Sequence, residues 1–375
     1  MIGIEHAKLV ELAQHSHDVI ASHQQPGGAY PASPTFSAYR GYAWLRDGAF
    51  TAEGMSRFGA IESVNAFHDW ASRMLEGRAD QLARIISLAN AGHAIPREAM
   101  LPTRFAFDDP HEADPWWNFQ TDGYGIWLWS VITHARRHGT GIERWRAGME
   151  VATDYACAFW ESPCYDWWEE NVDERHLSTL GALYGGLSAV ASSGVLDPAR
   201  TESAASTALL LRDKALREGV SNGIDRPVHL VKWIGSNSVD ASLASAIIPF
   251  GLFDRGDPIA RATLDAIRAD LDFGGGVHRY VDDVFYGGGQ WPLLSCLIGW
   301  NEAAVGDRES AMAHLVWVAK HANGEGEMPE QVDDHLLSPG DVDEWVQRWG
   351  DVASPLLWAH GMYLILAHEL GLLDK

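Results

Sequence analysis

Cysteine is scarce in this sequence. Cys157, Cys164 and Cys296 are all that 375 residues contain, too few for a disulfide framework and without the spacing of metal ligands. Basic charge is also short, with 28 Lys+Arg against 51 Asp+Glu and a formal net charge of −23. A surface so acidic repels phosphates and anionic headgroups, which argues against nucleic acid or membrane partners and leaves neutral or cationic ones. Long apolar runs are missing as well. The opening MIGIEHAKLVELAQH is interrupted by acidic and basic residues, so neither a signal peptide nor a membrane span is expected, and the chain reads as cytoplasmic. No Ser/Gly/Pro-rich linker divides it, and residues 1–375 are expected to form a single domain. Gly274–Gly276 and Gly287–Gly289 lack the Lys-Ser/Thr or the strand–helix setting of a nucleotide loop.

What the sequence has in excess is tryptophan, 17 residues against 10 Tyr and 12 Phe. Strand-like alternation is rare and helical periodicity is common, as in Ile4, Leu9, Leu12, Val19 and Ile20. Gly, Pro and polar clusters punctuate this pattern into about twelve helices, near 4–23, 46–58, 61–77, 121–138, 142–160, 177–193, 198–218, 239–250, 256–271, 290–304, 308–322 and 353–371. A further helical stretch near 80–92 falls inside a connection. Short turns alternate with long connections, which cover roughly 24–45, 78–120, 161–176, 219–238, 272–289 and 323–352. Six antiparallel helix pairs joined in this way describe an all-α (α/α)6 barrel with its long loops gathered on one rim around a pocket.

Each long loop carries a polar or aromatic cluster. The first ends in Tyr42-Ala43-Trp44-Leu45-Arg46-Asp47, the second holds Trp116-Trp117-Asn118-Phe119-Gln120-Thr121-Asp122, and the third reads Asp166-Trp167-Trp168-Glu169-Glu170. The fourth contains Lys232-Trp233, the fifth His278-Arg279-Tyr280-Val281-Asp282-Asp283 and, at its end, Trp291, and the sixth Pro329-Glu330-Gln331. A sugar ring asks for this mixture, because one face is apolar and stacks on an aromatic plane while its hydroxyls need fixed donors and acceptors. Trp44, Trp116, Trp117, Trp168, Trp233 and Trp291 are therefore expected at the pocket, whereas Trp127, Trp129, Trp145, Trp160, Trp300 and Trp317 lie inside helices and are expected to pack.

Glycoside hydrolysis needs two carboxyl groups flanking the scissile bond, one an acid and the other a base or nucleophile. Glu169 and Glu330 are the candidates, on different loops of the same rim. The tryptophans before Glu169 and the like charge of Glu170 are both expected to raise its pKa toward that of a general acid.

The motifs together resemble glycoside hydrolase family 15, the glucoamylase-like inverting α-glucosidases. Tyr42-x-Trp44-x-Arg46-Asp47 is similar to the family's early motif, whose Arg and Asp hold the non-reducing sugar; Trp168-Glu169-Glu170 is similar to its W-E-E motif, acid first and sugar-binding Glu second. Trp116 or Trp117 followed by Gln120-Thr121-Asp122-Gly123, then Arg279-Tyr280-x-Asp282-Asp283 with Trp291 beyond it, resemble two further segments. Pro329-Glu330-Gln331 resembles the segment carrying the general base. Arg40 departs from the aromatic residue often found at that place in fungal relatives.

The resemblance implies an exo-acting, inverting hydrolase that releases β-glucose from the non-reducing end of short α-glucosides and needs no cofactor or metal. The compact length favours small bacterial members acting on α-1,6 linkages such as isomaltose. Maltose- or trehalose-type hydrolysis would use the same residues. A sugar epimerase or isomerase would want histidine pairs, and a non-catalytic carbohydrate-binding protein would have no use for the two glutamates. The implied set comprises catalytic Glu169 and Glu330, with Tyr42, Trp44, Arg46, Asp47, Trp116, Trp117, Gln120, Asp122, Trp168, Glu170, Trp233, Arg279, Tyr280 and Trp291 around the sugar.

Overall fold

A computed structural model describes residues 2–112, 116 and 119–373, with side chains from residue 6 onward. Trp117 and Asn118 lie outside the described residues. The chain runs through α1 (Ile2–His23) and α2 (Leu45–Phe58), then α3 (Ile61–Glu76), α4 (Ala79–Asn90) and α5 (Asp122–His138). It continues with α6 (Arg146–Phe159), α7 (Leu177–Ala191), α8 (Pro198–Glu218), α9 (Ala244–Ile247), α10 (Pro258–Leu271) and α11 (Pro292–Val305). It finishes with α12 (Arg308–His321), α13 (Val342–Trp349) and α14 (Leu357–Glu369).

Packing closes six of these helices into an inner ring. α14 meets α2, α2 meets α5, α5 meets α7, α7 meets α9, α9 meets α11, and α11 returns to α14. Outside them, α1, α3, α6, α8, α10 and α12 provide the second layer, which is the (α/α)6 barrel expected from the alternation of loops. Inner helices are apolar nearly all round because they have neighbours on every side. Every residue from Leu357 to Ala367 of α14 is buried. The inner helices also approach closely, and glycine makes this possible: a Cβ on Gly54 of α2 would lie 2.3 Å from the carbonyl oxygen of Gly361 on α14.

Two helix starts are legible from local chemistry. Asp197 and Asp257 accept hydrogen bonds from backbone amides of the first turns of α8 and α10, each followed by a Pro that fits the first helical position. Two expectations need correction. The helix expected near 239–250 shrinks to a 3-10 turn over Ala241–Leu243 followed by the four residues of α9, because Ile248 precedes Pro249 and adopts an extended conformation (φ −121°, ψ 120°). Conversely, the connection at 323–352 contains α13, a surface helix with no buried residue.

Five short turns join inner to outer helices at one end of the barrel, and six long connections run from an outer helix to the N-terminus of an inner one at the other. Along the axis beneath those connections Phe50 stacks on Trp358 (5.5 Å between centroids) and touches Trp167, Trp129 and Phe250, making an aromatic floor. The helix-borne Trp127, Trp129, Trp145, Trp300 and Trp317 are buried, and Trp160 is half-buried against the core, as expected of packing residues. Among the described residues no helix is long and apolar enough to cross a membrane.

Candidate active site

Above the aromatic floor, the long connections enclose a cavity of about 280 Å³. Among the described residues eight tryptophans line it: Trp44, Trp116, Trp167, Trp168, Trp291, Trp345, Trp349 and Trp358. Its polar lining consists of Tyr39, Arg46, Asp47, Glu169, Glu170, Arg279, Glu330 and Arg348. Five connections contribute, together with the first turns of α2 and α14, and the fourth does not.

The first connection ends in a short strand, β1 (Tyr42–Trp44), paired with β2 (Arg104–Ala106) of the second. This pairing places the Arg104 guanidinium over the rings of Tyr42 (3.8 Å) and Trp116 (4.1 Å), with Nη1 donating to the carbonyl of Ala38 (2.8 Å). Two loops and three aromatic residues are thereby tied by one cation, which also lies 5.1 Å from the Trp44 ring. α2 begins at the strand's end, so Arg46 and Asp47 sit in its first turn and face the cavity. Arg46 donates from Nη1 to Gln120 (2.6 Å) and Asp122 (3.0 Å), both fully buried behind it.

Glu169 sits at the tip of the third connection in a left-handed conformation, φ 63°. That conformation costs a residue other than glycine on the order of 1–2 kcal/mol. Its carboxylate accepts from the indole nitrogens of Trp44 (2.7 Å) and Trp116 (2.6 Å), and Arg46 Nη2 lies 3.9 Å away. Burial pushes its pKa upward, while Arg46 and the two indoles pull the other way. The expected contribution of Glu170 is not seen in the geometry: that carboxylate turns aside to Tyr280, whose hydroxyl donates to it, and to Arg279 Nη2 (3.3 Å).

Glu330, on the sixth connection, is 4% exposed. Oε1 accepts from the hydroxyl of Tyr39 (2.9 Å), and Oε2 has no hydrogen-bond partner among the described residues. Burial pushes its pKa up to about 8, with Tyr39 and Arg279 lowering it and the nearby Asp47 and Glu169 raising it. Asp47 is likewise pushed up by burial, to about 7, against the pull of Arg46. A folded-state pKa above the unfolded one means that the stability associated with the neutral carboxyl is present below the unfolded value and lost as pH rises through the folded value. Between 4.5 and 8 the folded chain therefore loses on the order of a few kcal/mol through Glu330. Glu330→Gln is expected to melt with the wild type near pH 4.5 and several degrees above it near pH 8. Equal melting temperatures at both pH values would refute this.

Arg279 is buried beside Asp283 (Nε to Oδ2, 2.7 Å) and lies over Trp168, Phe285 and Trp291 at 5.1–5.3 Å from their centroids. Lys232 of the fourth connection stays behind the wall. Its Nζ lies 3.2 Å from Asp240, 3.8 Å from Asp166 and 3.1 Å from the centre of the Tyr280 ring. Asp240 in turn accepts from the indole of Trp168 (2.8 Å).

Ten of the sixteen residues singled out from the sequence line the cavity: Trp44, Arg46, Asp47, Trp116, Trp168, Glu169, Glu170, Arg279, Trp291 and Glu330. Gln120 and Asp122 do not, because they are spent on holding Arg46 from behind. Tyr42 is covered by Arg104, Tyr280 clasps Glu170 from outside the cavity, and Trp233 pairs its backbone with His176 away from it. Trp117 lies outside the described residues. Sequence reasoning does not single out Tyr39, Arg104, Phe285, Trp345, Arg348, Trp349 or Trp358 as site residues. Trp345 and Trp349 recur four apart beside Arg348, a signal of the short amphipathic helix that carries them.

No histidine lines the cavity, and no group of His, Cys, Asp and Glu suited to a metal ion occurs among the described residues. Two buried carboxyl groups over an aromatic floor form the arrangement that glycoside hydrolysis uses.

Comparison with known proteins agrees with that chemistry. An isomaltose glucohydrolase from Kribbella flavida is 58% identical over 370 residues, covering 98% of this chain and 95% of its own. A solved wild-type glycosidase superposes with a TM-score of 0.95 at 57% identity and 98% coverage of both chains, and a variant glycosidase in complex with glucose matches equally well. A bacterial glucoamylase complexed with acarbose shares the fold at a TM-score of 0.75 and 19% identity, over 96% of this chain and 55% of its own. The sequence model of glycosyl hydrolases family 15 matches residues 8–228, more than half of the chain, and with the full-length relative this shows that the protein is a glycoside hydrolase belonging to family 15.

Proposed function

We propose that the whole chain acts as one catalytic domain that removes the terminal glucosyl residue from short α-1,6-linked glucosides such as isomaltose, with inversion. The observation that carries this reading is that Glu169 and Glu330, from loops 161 positions apart in sequence (330 − 169), line one tryptophan-walled cavity. The substrate follows from the relative, an isomaltose glucohydrolase at 58% identity. A neutral sugar also suits a protein of net charge −23.

In this mechanism Glu169 donates its proton to the glycosidic oxygen as the bond breaks, and the leaving group departs as an alcohol. Glu330, in its ionised form, takes a proton from a water that attacks the anomeric carbon from the opposite face, giving β-glucose. The Oε2 atom of Glu330, which has no hydrogen-bond donor among the described residues, is the acceptor for that proton, while Tyr39 holds Oε1. Arg46, Asp47, Glu170 and Arg279 are the polar groups for sugar hydroxyls, and Trp44, Trp116, Trp168 and Trp291 supply apolar surface for the ring. Gln120, Asp122 and Tyr280 serve the sugar indirectly by fixing Arg46 and Glu170. Three free cysteines, two of them buried, support a reducing, cytoplasmic setting.

Incubation with isomaltose, maltose, kojibiose, nigerose and trehalose, with the released anomer followed by NMR, tests the reading. Isomaltose is expected to be cleaved with the highest kcat/KM, with β-glucose appearing first. Initial α-glucose would overturn inversion, and preference for another disaccharide would overturn the linkage.

A further inference from the structure

The third connection poses a mechanical question: what keeps Glu169 in a backbone conformation that non-glycine residues avoid? The answer is one buried side chain three residues earlier. Asp166, 2% exposed, receives the backbone amides of Trp168 (3.0 Å) and Glu170 (2.9 Å) on the same oxygen, Oδ1. Its own carbonyl accepts from the amide of Glu169 (3.1 Å), and its own amide donates to the carbonyl of Glu170 (3.0 Å). The amides of residues 168, 169 and 170 thus all close on Asp166, a side-chain-anchored turn in which the left-handed residue has no freedom to relax.

The anchor is itself held from another loop. Lys232 bridges Asp166 (3.8 Å) to Asp240 (3.2 Å), and Asp240 holds the indole of Trp168 (2.8 Å). This gives the fourth connection, which lines no part of the cavity, a task in the site.

We propose that Asp166, braced by Lys232, is a positioning residue for the reaction: its Oδ1 holds the turn that aims the Glu169 carboxyl at the cavity. The proposal rests on the reading of Glu169 as the general acid. Asp166 lines no part of the cavity, and the pocket groups Trp168 and Glu170 on the same turn keep separate side-chain anchors, the first on Asp240 and the second on Tyr280 and Arg279, so its loss should resemble a misaimed acid more than a damaged sugar pocket.

Two substrates separate these cases. Isomaltose needs a proton on its leaving oxygen, whereas α-D-glucosyl fluoride releases fluoride with little help from an acid. For Asp166→Ala, kcat on isomaltose is expected to fall about 10- to 100-fold with KM changed less than about threefold, since displacing a reacting group by an ångström costs this much. On the fluoride kcat should stay within about threefold of the wild type, because the acid is not used there. Asp166→Asn keeps an oxygen for the two amides and is expected to recover most of the loss. Should the Ala protein not fold, Asp166→Glu, which keeps the charge against Lys232 and moves the oxygen by a methylene, takes its place with the same expectation.

Glu169→Gln is run in parallel as the benchmark. If it fails to spare the fluoride, the acid assignment itself falls. If it spares the fluoride while Asp166→Ala loses both substrates equally or neither, or if Asn gives no recovery, the positioning role is overturned.

Discussion

Glu330→Gln is expected to lower kcat on isomaltose by about 10³-fold or more, within the range that a positioned general base contributes. The effect falls at the upper end of that range because Asp47, another buried carboxyl of the lining, is paired with Arg46 (3.6 Å). The amide is nearly isosteric and can still accept from Tyr39, whose hydroxyl lies 2.9 Å from Oε1. The cavity-lining Arg46, Asp47 and Arg279 are left in place, so glucose should bind the variant about as well as the wild type, which tryptophan fluorescence or calorimetry would measure. A kcat within tenfold of the wild type would remove Glu330 from the mechanism. Glucose binding lost together with turnover would assign it to the sugar instead.

The second large effect is expected at Glu169 and differs in kind. Glu169→Gln should also cost about 10³-fold on isomaltose, because without a proton donor the glycosidic oxygen would have to leave as a strongly basic alkoxide instead of an alcohol. On α-D-glucosyl fluoride the same variant should lose no more than about tenfold, since fluoride is a far better leaving group. Glu330→Gln, by contrast, should be crippled on both substrates, because both need an activated water. This crossed pattern assigns acid and base without a bound ligand. The reversed pattern would mean that the two roles are exchanged, and equal losses on both substrates for both variants that they are shared; in either case Glu169 would no longer stand as the acid.

Much of this site is legible in the sequence, for a physical reason. Helical periodicity marks the barrel's layers, and the connections between them are longer than a simple connector needs. Tryptophans beside carboxylates in those loops point to sugar, and ten of the residues chosen in this way face the cavity. What stays hidden depends on three-dimensional placement. Trp358 lies in α14 like any packing residue, and only the start of that helix at the rim turns its ring into part of the wall. Arg104 lies in a strand of three residues, too short to leave a period, yet it pins Tyr42 and Trp116. Motif proximity does not distinguish a ligand from its support, which is why Gln120 and Asp122 are expected on the sugar and found behind Arg46. α13 reads as loop because its eight residues bury nothing in the core, although Trp345, Arg348 and Trp349 line the cavity. The helix expected over 239–250 fails for a local reason, Pro249, which prevails over the periodicity around it.

The direction in which the inner helices run has an electrostatic consequence. Each long connection ends at the N-terminus of an inner helix, so α2, α5, α7, α11 and α14 direct the backbone N–H groups of their first turns and the positive ends of their dipoles toward the rim that holds the cavity. Each such end is equivalent to roughly half a positive charge, felt mainly within the first turn. The cavity lining gathers four carboxyl groups, Asp47, Glu169, Glu170 and Glu330, on a chain already rich in negative charge. The ring therefore supplies, from the backbone alone, a standing positive potential beneath an acidic site. Substitution in a loop can redraw the pocket without removing it.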